Sequence, residues 1–262
     1  MKQKFHIILI CLVILSVPLS NAVSQEMHKG KFNLGFEGGV QFNNVEDRTT
    51  LNPASSKAGY SFGPYIEYFI SDIFSVKLGM YYDNRGFKID DLYVGLADSS
   101  QIIPDSIVYS RGSYLHITRN YSVNYLTLPL SVRYMKGTDK FKIYVEAGVY
   151  YSLLLNASQE GQNDLYIEPE FAPHFQPPYN VPGHQYEDFN GDVTSTFNTY
   201  DFGVSLFLGG IVQFSPQWAL TVAPGFSYSF TNLYYQPEIN AKWTQIFRIN
   251  AGVIYTFTKK KP

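Results

Sequence analysis

The chain has a single cysteine among 262 residues, Cys11, and it lies in the first apolar segment. A polypeptide processed beyond that segment has no thiol, no disulfide and no cysteine metal site. Long hydrophobic runs are equally scarce. The one from Phe5 to Leu19 spans 15 residues, short of the roughly 20 that a membrane-spanning helix needs, and no later stretch does better. Helical membrane architecture is therefore excluded. No basic stripe is present either, which argues against a nucleic-acid partner. What the chain does have is aromatic side chains, 22 Tyr and 20 Phe, although its mean hydropathy is slightly below zero.

The first residues have the order of a secretory signal. Lys2 and Lys4 precede the apolar run, and Pro18 precedes the small-residue site Ala22-Val23-Ser24. Residues 1–24 are expected to be a cleaved leader and 25–262 one barrel domain; a retained helical anchor is the alternative. Without Lys2 and Lys4, 18 Lys and Arg stand against 22 Asp and Glu.

Eight stretches alternate apolar and polar residues with period two, near 31–43, 58–70, 74–83, 125–134, 141–154, 200–214, 217–230 and 244–257. In the first, Phe32, Leu34, Phe36, Val40 and Phe42 share one face, while Asn33, Gly35, Glu37, Gly39 and Gln41 share the other. The remaining seven follow suit, with Gly, Ser and scattered charges on the polar face. Pro129 would remove a ladder hydrogen bond, so a bulge or distortion is expected there. Connections alternate between long (44–57, 84–120, 156–198, 231–243) and short (Ser71-Asp72, 136–140, Ser215-Pro216). The pattern predicts an all-β fold: an eight-stranded antiparallel up-and-down transmembrane β-barrel with long extracellular loops and short periplasmic turns, in the outer membrane of a Gram-negative cell. A soluble barrel or sandwich would reverse the faces, apolar in and polar out. Aromatics near strand ends, such as Tyr60, Trp218 and Phe257, fit interfacial girdles and favour the membrane reading.

Several of these segments resemble the PorT-type outer-membrane β-barrel family of Bacteroidetes. The stretches that carry the likeness are FSVKLGMYYDNRGFK, NYLTLPLSVRYM, EAGVYYSLLL, FGVSLFLGGIVQF and FSYSFTNL. The resemblance implies the barrel and its location. The founding member is associated with type IX secretion, a role that barrel grammar by itself does not carry over.

On the polar face, Glu37, Glu67, Glu146 and Asp201 balance Lys77, Arg133, Lys142 and Arg248. Eight strands leave a bore only wide enough for side chains, and buried charges must pair. Glu67 and Lys77 lie equidistant from a turn at Asp72, and Arg248 and Glu37 could meet where the last strand closes on the first. The eight residues are expected to form a salt-bridge plug; a narrow ion path is the functional alternative.

Rim enzymes on such barrels need a His beside a Ser or carboxylate. His28, His116, His174 and His184 lie in the tail or the long connections without an evident partner, so no catalysis is expected. The 156–198 connection holds seven acidic residues, five prolines and no Lys or Arg. Within it, Asp188, Asn190 and Asp192 alternate around Gly191 as calcium ligands do, though without a closing Glu; an Asn-Gly turn is the plainer reading. The 84–120 connection carries two apolar patches, Leu92-Tyr93-Val94 and Ile102-Ile103-Pro104, which suit an extra hairpin or a partner surface. The chain is expected to be a monomer that needs no cofactor, contacts outer-membrane lipid, and meets other envelope proteins through 84–120 and 156–198. A small-solute channel and a rim enzyme acting on lipid are the competing functions.

Overall fold

The computed structural model describes residues 31–47, 55–94, 114–169, 172, 181–235 and 241–257. The leader, His28, His174 and the Ile102-Ile103-Pro104 patch lie outside them. Ten strands form one antiparallel sheet: β1 Phe32–Asp47, β2 Ser55–Phe69, β3 Phe74–Gly79, β4 Tyr81–Val94, β5 Tyr114–Gly137, β6 Phe141–Ile167, β7 Gly183–Asp192, β8 Tyr200–Gln213, β9 Trp218–Ser229 and β10 Ala241–Thr256. The ring closes where β1 pairs with β10, and β3 and β4 together make one stave, so the barrel has eight. β7 lies outside the ring, paired to the upper part of β6.

Period-two alternation becomes two solvents. Phe36, Leu78, Leu130 and Leu208 stand exposed on the outer wall, while Glu37, Lys77, Arg133 and Asp201 are buried inside. On β6 the exposed apolar stripe runs from Phe141 to Leu155. That is about 46 Å along a strand, or about 33 Å of height at a 45° tilt, which matches a bilayer's hydrocarbon core of about 30 Å. Rings gather at its edges. Trp218 meets Tyr255 near the short turns at 5.0 Å, and Tyr60 meets Tyr82 at the far rim at 6.1 Å.

Pro129 does not produce the expected bulge. It pairs with Tyr150 in unbroken register, and the irregularity on that strand pair falls at Asn124/Tyr125. What proline does instead is split the third stave. Met80 lies opposite Pro64 of β2, accepting nothing from it while its own N–H donates to the Pro64 carbonyl at 3.0 Å. On the other side the register places Gly79 opposite Pro129. Two missing N–H donors flank one spot, so ladder bonds are lost but alignment is kept.

The larger difference lies above the membrane. β5 has 24 residues and β6 has 27, against the 9–11 that a tilted strand needs to cross. Much of 84–120 and 156–198, read as loop from the sequence, is therefore strand. β4, β5, β6 and β7 continue as a four-stranded sheet that rises about 40 Å along β6 beyond Leu155. Its faces are inverted. Below the rim, β5 points Leu126, Leu128, Leu130 and Val132 outward and Thr127, Ser131 and Arg133 inward. Above it, Thr118, Asn120, Ser122 and Asn124 point outward and Tyr121 and Val123 inward. The change falls on one cross-strand row, Asn84–Asn124–Asn156, where each amide donates to the next at 2.6 Å. Lipid selects apolar side chains outside; water above it selects polar ones.

Candidate functional site

The middle of the lumen is closed by two charged clusters stacked along the barrel axis. In the upper one, Asp83 accepts from Arg85 at 2.9 Å, from Arg248 at 3.2 Å and from Gln41 at 2.6 Å. Arg85 reaches on to Asp201 at 2.5 Å and to the Ser152 hydroxyl at 3.1 Å, with its guanidinium over the Tyr125 ring at 4.7 Å. Ser229 donates to the other Asp201 oxygen. In the lower cluster, Lys77 bridges Glu37 at 2.8 Å and Glu146 at 3.4 Å, and Arg133 bridges Glu67 at 3.1 Å and Glu146 at 2.7 Å. Ser75 and Asn33 complete the Glu67 shell, and Tyr81 donates to Glu37 at 2.8 Å. Charges this deep in low dielectric survive only with such saturated partners.

Aromatic side chains occupy the space between the ions. Tyr65, Tyr81, Tyr144, Tyr150 and Phe207 are buried inside, and each lies over a glycine, Tyr81 over Gly79 of its own stave and the others over a glycine of an adjacent strand. Tyr65 lies across its cross-strand partner Gly35, where a Cβ would meet the ring at 2.2 Å; Tyr144 lies across Gly209, where the corresponding distance is 2.3 Å. Gly35, Gly79, Gly203, Gly209 and Gly225 thus serve as seats for rings.

A second closure sits at the extracellular mouth. Here Phe87, Val123, Ala157, Phe197, Leu233 and Ile246 form an apolar core on the inward face of the raised sheet. The return segment after β7 delivers its central ring. Asp192 accepts from the Thr194 N–H at 2.8 Å and Oγ1 at 2.5 Å, and these bonds hold its carboxyl below the usual carboxylate range. A 3-10 turn at Thr194–Thr196 follows, and Phe197 drops between Tyr121 at 6.0 Å and Tyr234 at 5.3 Å.

The outward face of the raised sheet ends in a row of rings. Tyr114 stacks on Tyr166 at 5.2 Å, Tyr166 meets His184 at 4.9 Å, and His184 stacks on Tyr186 at 5.7 Å. Asp164 of β6 holds His184 of β7 at 2.9 Å, and on the adjoining strand pair Asp90 of β4 holds His116 of β5 at 2.6 Å. The hydrogen bond to His116, then that to Lys88, lowers the Asp90 pKa. Tyr186 is 62% exposed.

A model described as an outer membrane protein beta-barrel domain matches residues 22–235. The chain belongs to that family. Its place is the outer membrane. Among solved structures it is similar to Ail, the attachment invasion locus protein of Yersinia pestis, at 9% identity and TM-score 0.40 over 87% of this chain and 99% of that one. It is also similar to the outer membrane protein OprG from Pseudomonas aeruginosa, at 13% identity and TM-score 0.45 over 88% and 98%, and to Neisserial surface protein A, at 11% and 0.41 over 89% and 100%. No curated protein matches its sequence.

Within this barrel, seven of the eight lumen residues singled out from the sequence fall in the two clusters, with different partners from those expected. Glu67 and Lys77 are cross-strand neighbours in register, yet Lys77 turns to Glu37 and Glu146 while Glu67 takes Arg133. Arg248 faces Gln41 rather than Glu37 and bonds to it at 2.9 Å. Lys142 belongs to neither cluster; it is half-buried at the periplasmic mouth, where Asp139, Glu67 and Asp72 act on it. Asp83 and Arg85, the centre of the upper cluster, were missed as a pair. Asp83 lies at the end of the 74–83 stretch with the polar parity of Lys77, and extending that stretch by one more alternation reaches its partner Arg85. The ringed residues were missed because they sit at polar-face positions; an aromatic opposite a glycine is the signal. Asp188, Asn190 and Asp192 occupy alternate positions on the extended strand β7, about 6.6 Å apart each. Asp188 accepts from Gln162 at 2.8 Å. Among the described residues no group of three or more His, Cys, Asp or Glu could hold a metal ion. A calcium loop must instead curl to bring its oxygens together.

Proposed function

We propose that this outer-membrane barrel is a monomeric, non-conducting interaction protein, which presents the sheet β4–β7 to a partner outside the cell. The row Tyr114, Tyr166, His184 and Tyr186, half-buried at the first two rings and exposed at the last two, carries the reading. It is a group of rings fixed on register-locked strands, where aromatic contact area is gained with little loss of side-chain freedom. The structure beneath supports it: a barrel mouth closed by Phe197 and its neighbours, above a lumen closed again by two ion clusters, is built for rigidity rather than flow. The two His–Asp pairs lie on an open, water-facing surface, which suits recognition better than catalysis. The strand units around Phe74–Lys88 and Asn124–Met135 support a place in the PorT-type branch, and the leader reading makes Gln25 the mature start.

The test is a paired pull-down from intact cells with wild type and the Tyr166→Ala/Tyr186→Ala variant, alongside planar-bilayer recording. The expected outcome is a partner retained by wild type and lost by the variant, with no stable conductance steps. Equal recovery by both proteins would remove the aromatic row from the account. Large, stable conductance steps would overturn the closed lumen and favour a solute channel.

A further inference from the structure

The barrel is not filled along its whole length. Below the lower ion cluster the lumen opens toward the short turns as a dead-end space of about 400 Å³, within the usual range of small-molecule sites. Phe69, Met135, Ile211, Ala219 and Ile254 form its inner wall, all of them buried. Its mouth carries the opposite chemistry. Lys31, Lys140 and Lys142 line it with Asp139, and Asp72 and Glu67 lie close enough to act on Lys142. An apolar chamber behind three ammonium groups is a cavity with a polarity gradient, and nothing in the extracellular reading makes use of it.

We infer that this periplasmic mouth binds a small amphiphilic anion, a carboxylate or phosphate carried on a compact apolar body. The apolar part enters toward Met135 and Ile254, and the anionic head stays among the lysines. Low-dielectric walls focus the field of those charges on the opening and raise the local concentration of anions. The C-terminal end of the chain is the wrong occupant for this charge, since Lys259, Lys260 and Lys261 follow Phe257 in sequence and add like charge; ahead of Lys31, Glu26 and Lys29 cancel. The mouth and the β4–β7 sheet lie on opposite sides of the membrane, so this inference and the interaction reading stand or fall separately.

The full chain in phospholipid nanodiscs, labelled at Ile and Met methyls, would be titrated with 4-phenylbutyrate and, in parallel, with the neutral 4-phenylbutanol; empty nanodiscs correct for partition into lipid. Saturable shifts are expected at Met135, Ile211 and Ile254, with the anion at least tenfold tighter than the alcohol and weakening as salt screens the mouth. Lys142→Gln should weaken the anion about tenfold and leave the alcohol unchanged. Because Lys142 is half-buried, Lys140→Gln at the exposed rim provides a second variant that tests the same point without risk to folding. Equal affinity for anion and alcohol, or shifts that never saturate, would overturn the inference. So would binding seen only after residues 258–262 are deleted, since the tail would then be the occupant.

Discussion

Replacing Arg133 with methionine removes the one cation shared by Glu67 and Glu146 while keeping most of the side-chain volume. The guanidinium is fully buried, donates to Glu67 at 3.1 Å and to Glu146 at 2.7 Å, and lies 4.0 Å from the Tyr144 ring centre. After the change Glu146 still has Lys77 at 3.4 Å, but Glu67 keeps only the neutral donors Ser75 at 2.6 Å and Asn33 at 3.1 Å. Unit charges this close attract by about 5–6 kcal/mol at an effective dielectric of 20, and stripping one partner from a buried pair typically costs about 3–5 kcal/mol. Arg133→Met should therefore lower the unfolding free energy by about 3–5 kcal/mol, a hundred- to a few-thousandfold shift in the equilibrium. Urea titration of the refolded barrel, followed by Trp fluorescence and by the heat-dependent shift in gel mobility, reads this directly. The triple variant Arg133→Met/Glu67→Gln/Glu146→Gln should recover most of the loss, because no uncompensated carboxylate remains. A single variant within 1 kcal/mol of wild type, or a triple variant no better than the single, would refute the claim that charge pairing holds this lumen together.

Three further outcomes follow from neighbouring features. Gly35→Val places a side chain 2.2 Å from the Tyr65 ring, so overpacking should destabilise the barrel by about 1–3 kcal/mol, whereas valine at the outward position of Leu34 should be tolerated in the same titration. Phe197→Ala empties the centre of the extracellular cap. It should remove about 3–5 kcal/mol of local packing and speed hydrogen exchange at Val123 and Ala157, with little effect at Arg133. The Asp90 carboxyl should titrate below the ordinary aspartate value of about 3.9. Because its folded pKa is depressed, the contribution is present above that ordinary value and is lost as pH falls through the folded one. In His116→Ala the carboxyl NMR midpoint should move up toward the ordinary value, and an unmoved midpoint would break the link.

The barrel was legible because lipid imposes a period of two on every stave, as in Phe32–Phe42 and Leu126–Tyr134, and aromatics at the strand ends favour lipid over a soluble core. The raised sheet was not. Its strands alternate too, but with the opposite phase, because above the Asn84–Asn124–Asn156 row both the inner and the outer environment change. A reader who follows apolar-out alternation sees the signal vanish at residue 84 and assigns a loop. The Asp188–Asp192 run shows a related limit: alternate oxygen-bearing residues fit a calcium turn and an extended strand equally well in sequence. Pairing with β6 decides for the strand.

By itself, then, the order of residues determined which side chains face lipid, which face the interior, and where the tight turns lie, because these depend only on neighbours along the chain. Partner choice inside the lumen belonged to the tertiary structure. Lys77 passes over its register neighbour Glu67 for Glu37 and Glu146, and Arg85 reaches Asp201 from a stave that is not adjacent. Closing tilted strands around a narrow bore brings side chains from all round the ring within bonding distance, and no one-dimensional spacing encodes that.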